Sequence, residues 1–396
     1  MYGNHAVFIN NKTKFHKACC GVYLVMPFAF STNYEEIISI VDKIDPIAYG
    51  KTRNYLDGAV TRLSPYISRG VISTKYVLQK KIEQGYKLYE IESFVKELCW
   101  RDYFQRIAQH KDINTDIKQT QAPVAHYQIP KVITDSNTGI HALDAAIQDL
   151  YETGYMHNHC RMYIAFLACN LAQSHWLMPA RWMYYHLLDA DWASNACSWQ
   201  WVAGANSSKK YITNQENINK YTKTNQKGTY LDADYEAIAN LSIPQELTEA
   251  VTLNLPSTLP ETNIEIWNEQ RPTFIYNYYN LDPNWHKNEE GNRVLLLEPH
   301  HFDQYPISPK SVSFLLALTN NIPNIQIYTG AFESFAEKHK TSTCYFKEHP
   351  FNQHYQGICE PRDWICEEAN GYYPSFFAYW KKAERIIKKL FENKTA

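Results

Sequence analysis

HWLMPARWMYYHLLDADWASNACSWQW, residues 175–201, holds five tryptophans and sets Asp189, Asp191 and Asn195 among them. Aromatic bulk builds a core, whereas an unpaired buried carboxylate is costly and persists only where a cation or a hydrogen-bonding ligand meets it. The stretch therefore reads as a helical core wrapped around a polar partner, with electron chemistry available from the indoles.

Outward from it, TKYVLQKKIEQGY, YEIESFVKELCWRDYFQRIAQH, GIHALDAAIQDLYETG, CRMYIAFLACNLAQSHW and PARWMYYHLLD all space apolar residues at three to four positions, the period of an α-helix. The segment after Cys160 is apolar nearly all round, which predicts a helix buried at a domain centre. Residues 241–290 carry Pro244, Pro256, Pro260, Pro272 and Pro283 with little periodicity, and read as a linker or wrap. Beyond them RVLLLEP, SPKSVSFLLALTNNI, NIQIYTG, ESFAEKH and TCYFKEH alternate strand and helix as a small parallel α/β layer does, and PSFFAYWKKAERIIKKLFENK closes the chain as an amphipathic helix. The expected fold class is mainly α: an all-helical domain over 31–240, a linker over 241–290 and a smaller α/β domain over 291–396.

The 396 residues are 45% hydrophobic and 20% charged, ample for two domains with a sizeable core. Nine cysteines at irregular spacing, with no C-x-x-C pair, argue against a zinc ribbon, an iron-sulfur cluster or a disulfide framework, and point to a reducing, cytoplasmic setting. A net charge of −2 offers no global attraction for nucleic acid, so such a partner needs a local basic face. No apolar run is long enough to span a bilayer, although ACCGVYLVMPFAF at 18–30 follows Lys12, Lys14 and Lys17 in signal-peptide style. Met26 directly precedes a helix-entry pattern at Ser31, Thr32 and Asn33, so residues 1–25 are expected to lie upstream of the natural start, and residues 1–30 to form a poorly ordered extension.

Four segments carry polar residues that a core does not need: YGKTRNYLDGAVTRLSPYISRGVIS at 49–73, ELCWRDYFQR at 97–106, TGYMHNHCRM at 153–162 and LLDADWASNACSWQWVAG at 187–204. Together and in this order they resemble the FAD-binding helical domain of the cryptochrome and DNA photolyase family, over roughly half the chain. The resemblance implies FAD as cofactor. It places Tyr49, Thr61, Arg62, Leu63 and Ser64 at the pyrophosphate, where hydroxyls and amides at a helix start suit phosphate oxygens. It sets Arg101 near the phosphates, Asn158 beside the cofactor, Asp189, Ala190 and Asp191 at the flavin and ribose, Arg161 as their buried cation, and Asn195 facing flavin N5. An amide there can hydrogen-bond a reduced flavin without giving up a proton of its own, which favours repair over signalling.

Glu97, Trp100, Asn158, Met162 and Trp201 match the pocket that dimer-repairing members place around a flipped-out pyrimidine pair. Enzymes for the (6-4) lesion carry His where Asn158 and Met162 stand, so the implied substrate is DNA containing cyclobutane pyrimidine dimers. The alternative is a cryptochrome-like photoreceptor that signals through flavin photoreduction. Trp199 and Trp176 match the inner members of the family's electron-transfer chain; the outer tryptophan is missing, leaving Tyr127, Trp182 or Trp192 as exit. Lys209 and Lys210, with Lys220, Lys223 and Lys227, make the loop at 207–228 a phosphate grip or a solvated loop.

No metal is expected. His157, His159 and Cys160 lie beside His141 in the sequence, but alternate residues at a helix start do not face one point. His300, His301 and Asp303 in EPHHFDQYP read as a satisfied loop cluster in preference to a pigment or partner site. His159 departs from the Arg that many dimer enzymes carry there to hold DNA. The largest departure is order: family members usually begin with an α/β domain that often holds a light-harvesting pigment, whereas here an α/β unit follows the flavin domain, as a permuted counterpart or an addition. The second pigment is left open, and a monomer is expected.

Overall fold

The computed structural model describes residues 30–392. The expectations for residues 1–25 and for the extension up to residue 29 lie outside the described residues; Phe30, counted with that extension, is buried against Tyr66 and Tyr155.

The first part of the chain is helical, as the three-to-four periodicity predicts. Asn33 caps α1 (Tyr34–Lys43), its side chain accepting from the Glu36 amide at 3.1 Å; Asp45 caps α2 (Pro46–Thr52) in the same way. There follow α3 (Ser64–Ser68), α4 (Thr74–Glu83) and the 21-residue α5 (Leu88–Ala108). A short helix, α6 (Lys131–Thr134), leads to α7 (His141–Thr153) and α8 (Asn158–Phe166), which continues as a π-turn at Leu167–Leu171. Tyr163, Ile164, Phe166 and Leu167 are almost wholly buried, so the segment after Cys160 is the central helix that its all-round apolar pattern foretells. Around it lie α9 (Leu177–His186), α10 (Trp192–Ala203), α11 (Gln215–Thr222) and α12 (Tyr235–Ala239). The expected 207–228 loop thus contains a helix, nucleated by Asn214, which caps the Asn217 amide.

The α7 end shows why the next segment sits where it does. Gly154 takes the left-handed conformation (φ +73°) that stops the helix, and its carbonyl accepts from the Leu188 amide at 2.8 Å. A Cβ there would lie 2.6 Å from Leu188 Cγ. Glycine thus lets the chain carrying Asp189 and Asp191 press against the helix end.

The 241–290 segment is not only a linker. Residues Ala250–Val251 (β2) pair antiparallel with Ile129–Pro130 (β1), and Thr273–Tyr276 (β3) is the central strand of a five-stranded sheet. Its neighbours are β4 (Asn292–Leu297), β5 (Ile325–Thr329), β6 (Cys344–Lys347) and β7 (Ile358–Glu360). Every pairing in this sheet is parallel, in the order β5-β4-β3-β6-β7, with α13 (Pro299–Gln304), α14 (Pro309–Thr319) and α15 (Phe332–Lys338) in the connections. The order reverses between β3 and β6, the switch point at whose carboxyl side ligands bind in such sheets.

The last helix, α16 (Phe376–Glu392), packs on α5. Phe376 stacks on Trp100 with ring centres 3.9 Å apart. The expected 291–396 unit therefore ends inside the helical body instead of closing the sheet. No helix among the described residues is long and apolar enough to cross a membrane.

Candidate flavin site

One cavity of about 530 Å³ gathers most of the expected site residues, brought together by helical spacing. From α5 come Phe94, Glu97, Leu98, Arg101 and Phe104; from α8, Asn158, Arg161, Met162 and Ala165; from α10, Ser194, Asn195, Ser198, Trp199 and Val202. These are successive three- and four-residue steps, so each helix turns one stripe to the cavity. The loop before α3 adds Thr61, Arg62 and Ser64, with Tyr49 from α2. Arg62 holds φ +53°, a conformation uncommon away from glycine, asparagine and aspartate. Trp100 and Trp201 also line it, Trp201 being 41% exposed.

Two acid–base pairs organise the floor. Arg161 Nη2 reaches Asp189 Oδ2 at 3.0 Å, and its Nε donates to the Met156 carbonyl at 2.8 Å. Arg101 Nη2 reaches Asp191 Oδ2 at 2.9 Å, while Gln105 Nε2 donates to both Asp191 oxygens at 2.9 and 2.7 Å and the Ser194 amide donates at 2.8 Å. Burial pushes the Asp191 carboxyl up, but Arg101, the Ser194 amide and Arg69 outweigh it and hold it below the usual range. Arg69, itself fully buried, donates to the Ala190 carbonyl and lies against the face of Tyr278, 3.2 Å from its ring centre. The segment 189–191 is thus fastened to α3, α5 and α8.

Asp189 differs from Asp191 in one respect that matters. Its Oδ1 is buried with no hydrogen-bond partner, as are Ser194 Oγ and His157 Nε2. A native fold rarely leaves a carboxylate oxygen orphaned, so the atom calls for a donor from a ligand. The adenine amino group and the flavin imide N–H are donors of that kind. Asn195 is held by its Nδ2 donating to the Ala180 carbonyl at 2.8 Å, which fixes the plane of its amide on the cavity wall.

Residues 94–255 match the model of the FAD binding domain of DNA photolyase. Over that segment the chain is similar to the FAD-binding domain of the photolyases. Among its relatives are a deoxyribodipyrimidine photo-lyase of Agrobacterium fabrum, 30% identical over 42% of this chain and 37% of that one, and a chloroplastic/mitochondrial cryptochrome DASH of Ostreococcus tauri, 29% identical over 53% and 42%. An archaeal photolyase from Sulfolobus tokodaii, solved with two FAD molecules, shares 23% identity over 48% of this chain and 44% of that one, with a TM-score of 0.40. The chain spans about two-fifths of the length of the curated relatives it matches. FAD is the cofactor of the photolyase-type domain, and the cavity's donors and orphaned acceptor suit it.

Around the flavin domain some expected residues stand elsewhere. The side chains of Leu63 and Ala190 are buried in the core outside the lining. Trp176 is also buried away from the cavity, its Nε1 donating to Asp116 at 2.7 Å. Lys209 lies exposed beyond the lining; Lys210 is half-buried against Gly204 with its amine pushed down by burial, and Lys223 pairs with Asp57. Of the exit candidates, Trp182 and Trp192 are almost wholly buried, while Tyr127 is 72% exposed and stacks on His175, which neighbours Trp176.

Several lining residues were not singled out in the sequence: Arg53, Asn54, Tyr155 and Ser194, with Ser68 at the edge; His157, weighed there only as a metal ligand, also lines the cavity. Arg53 pairs with Glu97 at 2.7 Å. It stands four residues after Tyr49 on the same helical face, so that spacing was the available signal. His157 and His159 are joined head to tail, the His159 amide donating to His157 Nδ1 at 3.1 Å, as a helix cap and not as ligands of one point. A second cavity of about 280 Å³ adjoins the first at the β3/β6 switch point and shares Ser68, Arg101 and Asp191 with it.

Proposed function

We propose that this chain uses light to split cyclobutane pyrimidine dimers in DNA. The observation that carries the reading is that Glu97, Trp100, Asn158, Met162 and Trp201 share one cavity with Asp189, Asp191 and Asn195. Lesion-binding and cofactor-binding side chains then face a common space, as direct electron transfer between the two requires.

Arg161, Asp189, Asn195 and the hydroxyls of Thr61 and Ser64 would hold the FAD. Bound there in its reduced state, that group would supply the light-driven electron chemistry for opening the dimer. Trp201, exposed at the rim, offers an indole face on which a flipped base can stack, and Trp100, backed by Phe376, presents its other face as a fixed apolar wall. Glu97 hydrogen-bonds the pyrimidine edge; burial raises its pKa, an effect that Arg53 offsets only in part. Asn195, fixed by Ala180, orients without donating a proton to the cofactor. DNA containing the dimer is the partner, gripped at least in part by Lys209, and the protein acts as a monomer.

The test is illumination of reduced protein with a dimer-containing oligonucleotide, following recovery of thymine absorbance. Recovery in light and none in darkness supports repair. Light-driven flavin reduction without any recovery of thymine supports the photoreceptor reading, which the cryptochrome DASH relatives and the surface-reaching Trp176–His175–Tyr127 run favour.

A further inference from the structure

Among the described residues, Glu298, His300 and His354 stand together with one ligand atom each, all within 4.8 Å of one another. Glu298 follows the last residue of β4, His300 lies in the first turn of α13, and His354 belongs to the connection between β6 and β7. The parallel sheet thus brings two segments to its carboxyl-terminal edge, the side where open α/β sheets bind their ligands. Nothing in the flavin cavity uses them.

The chemistry of the set is that of a transition-metal site. Two imidazoles and one carboxylate suit zinc, iron, nickel or copper, and do not suit calcium or magnesium, which favour oxygen donors. The carboxylate is also pre-positioned: Glu298 is only 4% exposed, and its Oε1 accepts from the Phe332 amide at 2.9 Å. A ligand carboxylate tied to the backbone in this way is a common outer-shell arrangement. His354 Nε2 lies 3.0 Å from both Glu298 oxygens, so a nitrogen and a carboxylate already face each other where an ion would sit between them. Donors around one zinc, with bonds of about 2.0–2.2 Å, stand roughly 3–4 Å apart, and the three ligand atoms here already lie within 4.8 Å of one another. The His354 side chain is 35% exposed and the His300 ring sits edge-on to it with ring centres 5.6 Å apart, so the site is open to an entering ion.

We propose that Glu298, His300 and His354 bind a divalent ion of the zinc class. Three protein ligands leave a fourth position for water or an incoming ligand. The ion ties the β6–β7 connection to the end of β4, residues 56 positions apart in the chain. This contradicts the sequence expectation that no metal binds and that His300 belongs to a satisfied loop cluster. It does not depend on what the flavin site does.

Equilibrium dialysis of chelator-treated full-length protein against Zn²⁺ tests it, with His300→Ala and His354→Gln beside the wild type. One zinc per chain is expected in the wild type, unaffected by excess Mg²⁺. Each substitution should weaken binding by roughly 10- to 100-fold, at least the loss that an outer-shell partner would cause. His300 is exposed, so His300→Ala should keep its full flavin content, and that content reports an intact fold. Absence of stoichiometric zinc in the wild type overturns the proposal and leaves a plain Glu298–His354 hydrogen bond. Zinc bound equally by wild type and both variants overturns it as well, since the ion then sits on other side chains.

Discussion

The Arg53 guanidinium lies 2.7 Å from the Glu97 carboxylate, joining the end of α2 to the middle of α5 across the cavity wall. Both side chains are about one-third exposed, so water weakens the pair, and a double-mutant cycle of Arg53→Met and Glu97→Gln should give a coupling of about 1 kcal/mol in denaturant unfolding. Arg53→Met alone should raise the Glu97 pKa further, because burial then acts unopposed. A raised carboxyl pKa means that the folded state holds a proton the unfolded chain has released. Arg53→Met should therefore lose stability, relative to wild type, as pH rises through the window above about 4.3, the ordinary glutamate value. Additive single effects would remove the pair from the account.

Glu97→Ala should slow repair under light while the flavin band stays. In the proposed reading the carboxylate meets the lesion, whereas Asp189, Arg161 and the loop before α3 would hold the cofactor. An unchanged repair rate would take Glu97 out of the mechanism.

Gly154→Ala should destabilise the protein by about 1–3 kcal/mol, combining the cost of a side chain at positive φ with the Cβ contact on Leu188. Because Leu188 adjoins Asp189, flavin content should fall with it. Urea unfolding and the flavin-to-protein absorbance ratio read the two effects. A variant as stable as wild type would mean that the α7 end does not position the 187–191 segment.

Acid should act through the buried histidines. Burial, helped by His157 and Arg53, lowers the His159 pKa to about 4, and burial beside Lys310 lowers His186 to about 4. Between that value and the unfolded one near 6.5 the unfolded chain binds protons that the native state refuses, so stability falls as pH drops through this window. Asp191, held below its ordinary value despite burial, adds a further loss as pH falls below about 3.9. His159→Gln should flatten the upper part of the curve, measured as the urea midpoint between pH 7 and 4. An unchanged slope would show that His159 titrates alike in both states.

Tyr127 should act as the exit for photoreduction. Tyr127→Phe keeps the ring on His175 but removes the phenol that can give up an electron and a proton. Blue-light bleaching of the oxidised flavin in the presence of an external reductant should slow, whereas repair by chemically reduced protein should not. Equal bleaching in both proteins would place the exit elsewhere.

What was legible in the sequence follows from where its signals are local. The helices were readable because α5 and α7 repeat apolar residues at fixed steps and the segment after Cys160 is apolar all round; Arg161 as the cation of Asp189 came with the family resemblance, which set Arg101 at the phosphates and left its pairing with Asp191 to the structure. The strand β3 was not: TFIY is four residues, buried on both faces, between prolines and an Asn/Tyr-rich turn, so neither alternation nor length marks it. The amphipathic pattern of α16 was plain, but nothing in PSFFAYW tells that Phe376 stacks on Trp100 and not on the sheet. Lys210 looked like a DNA contact because a lysine's charge is visible in sequence and its burial is not. Glu298, His300 and His354 converge only once the parallel strands are ordered.

The claim on which the rest stands is that Asp189, with its orphaned oxygen and its Arg161 partner, seats the FAD. The flavin content of purified Asp189→Ala against wild type measures it most directly. Loss of a buried charge-assisted hydrogen bond costs about 1.5–3 kcal/mol, so FAD affinity should drop roughly 10- to 100-fold and the variant should emerge largely without flavin. A variant that retains one FAD per chain with wild-type affinity contradicts the account.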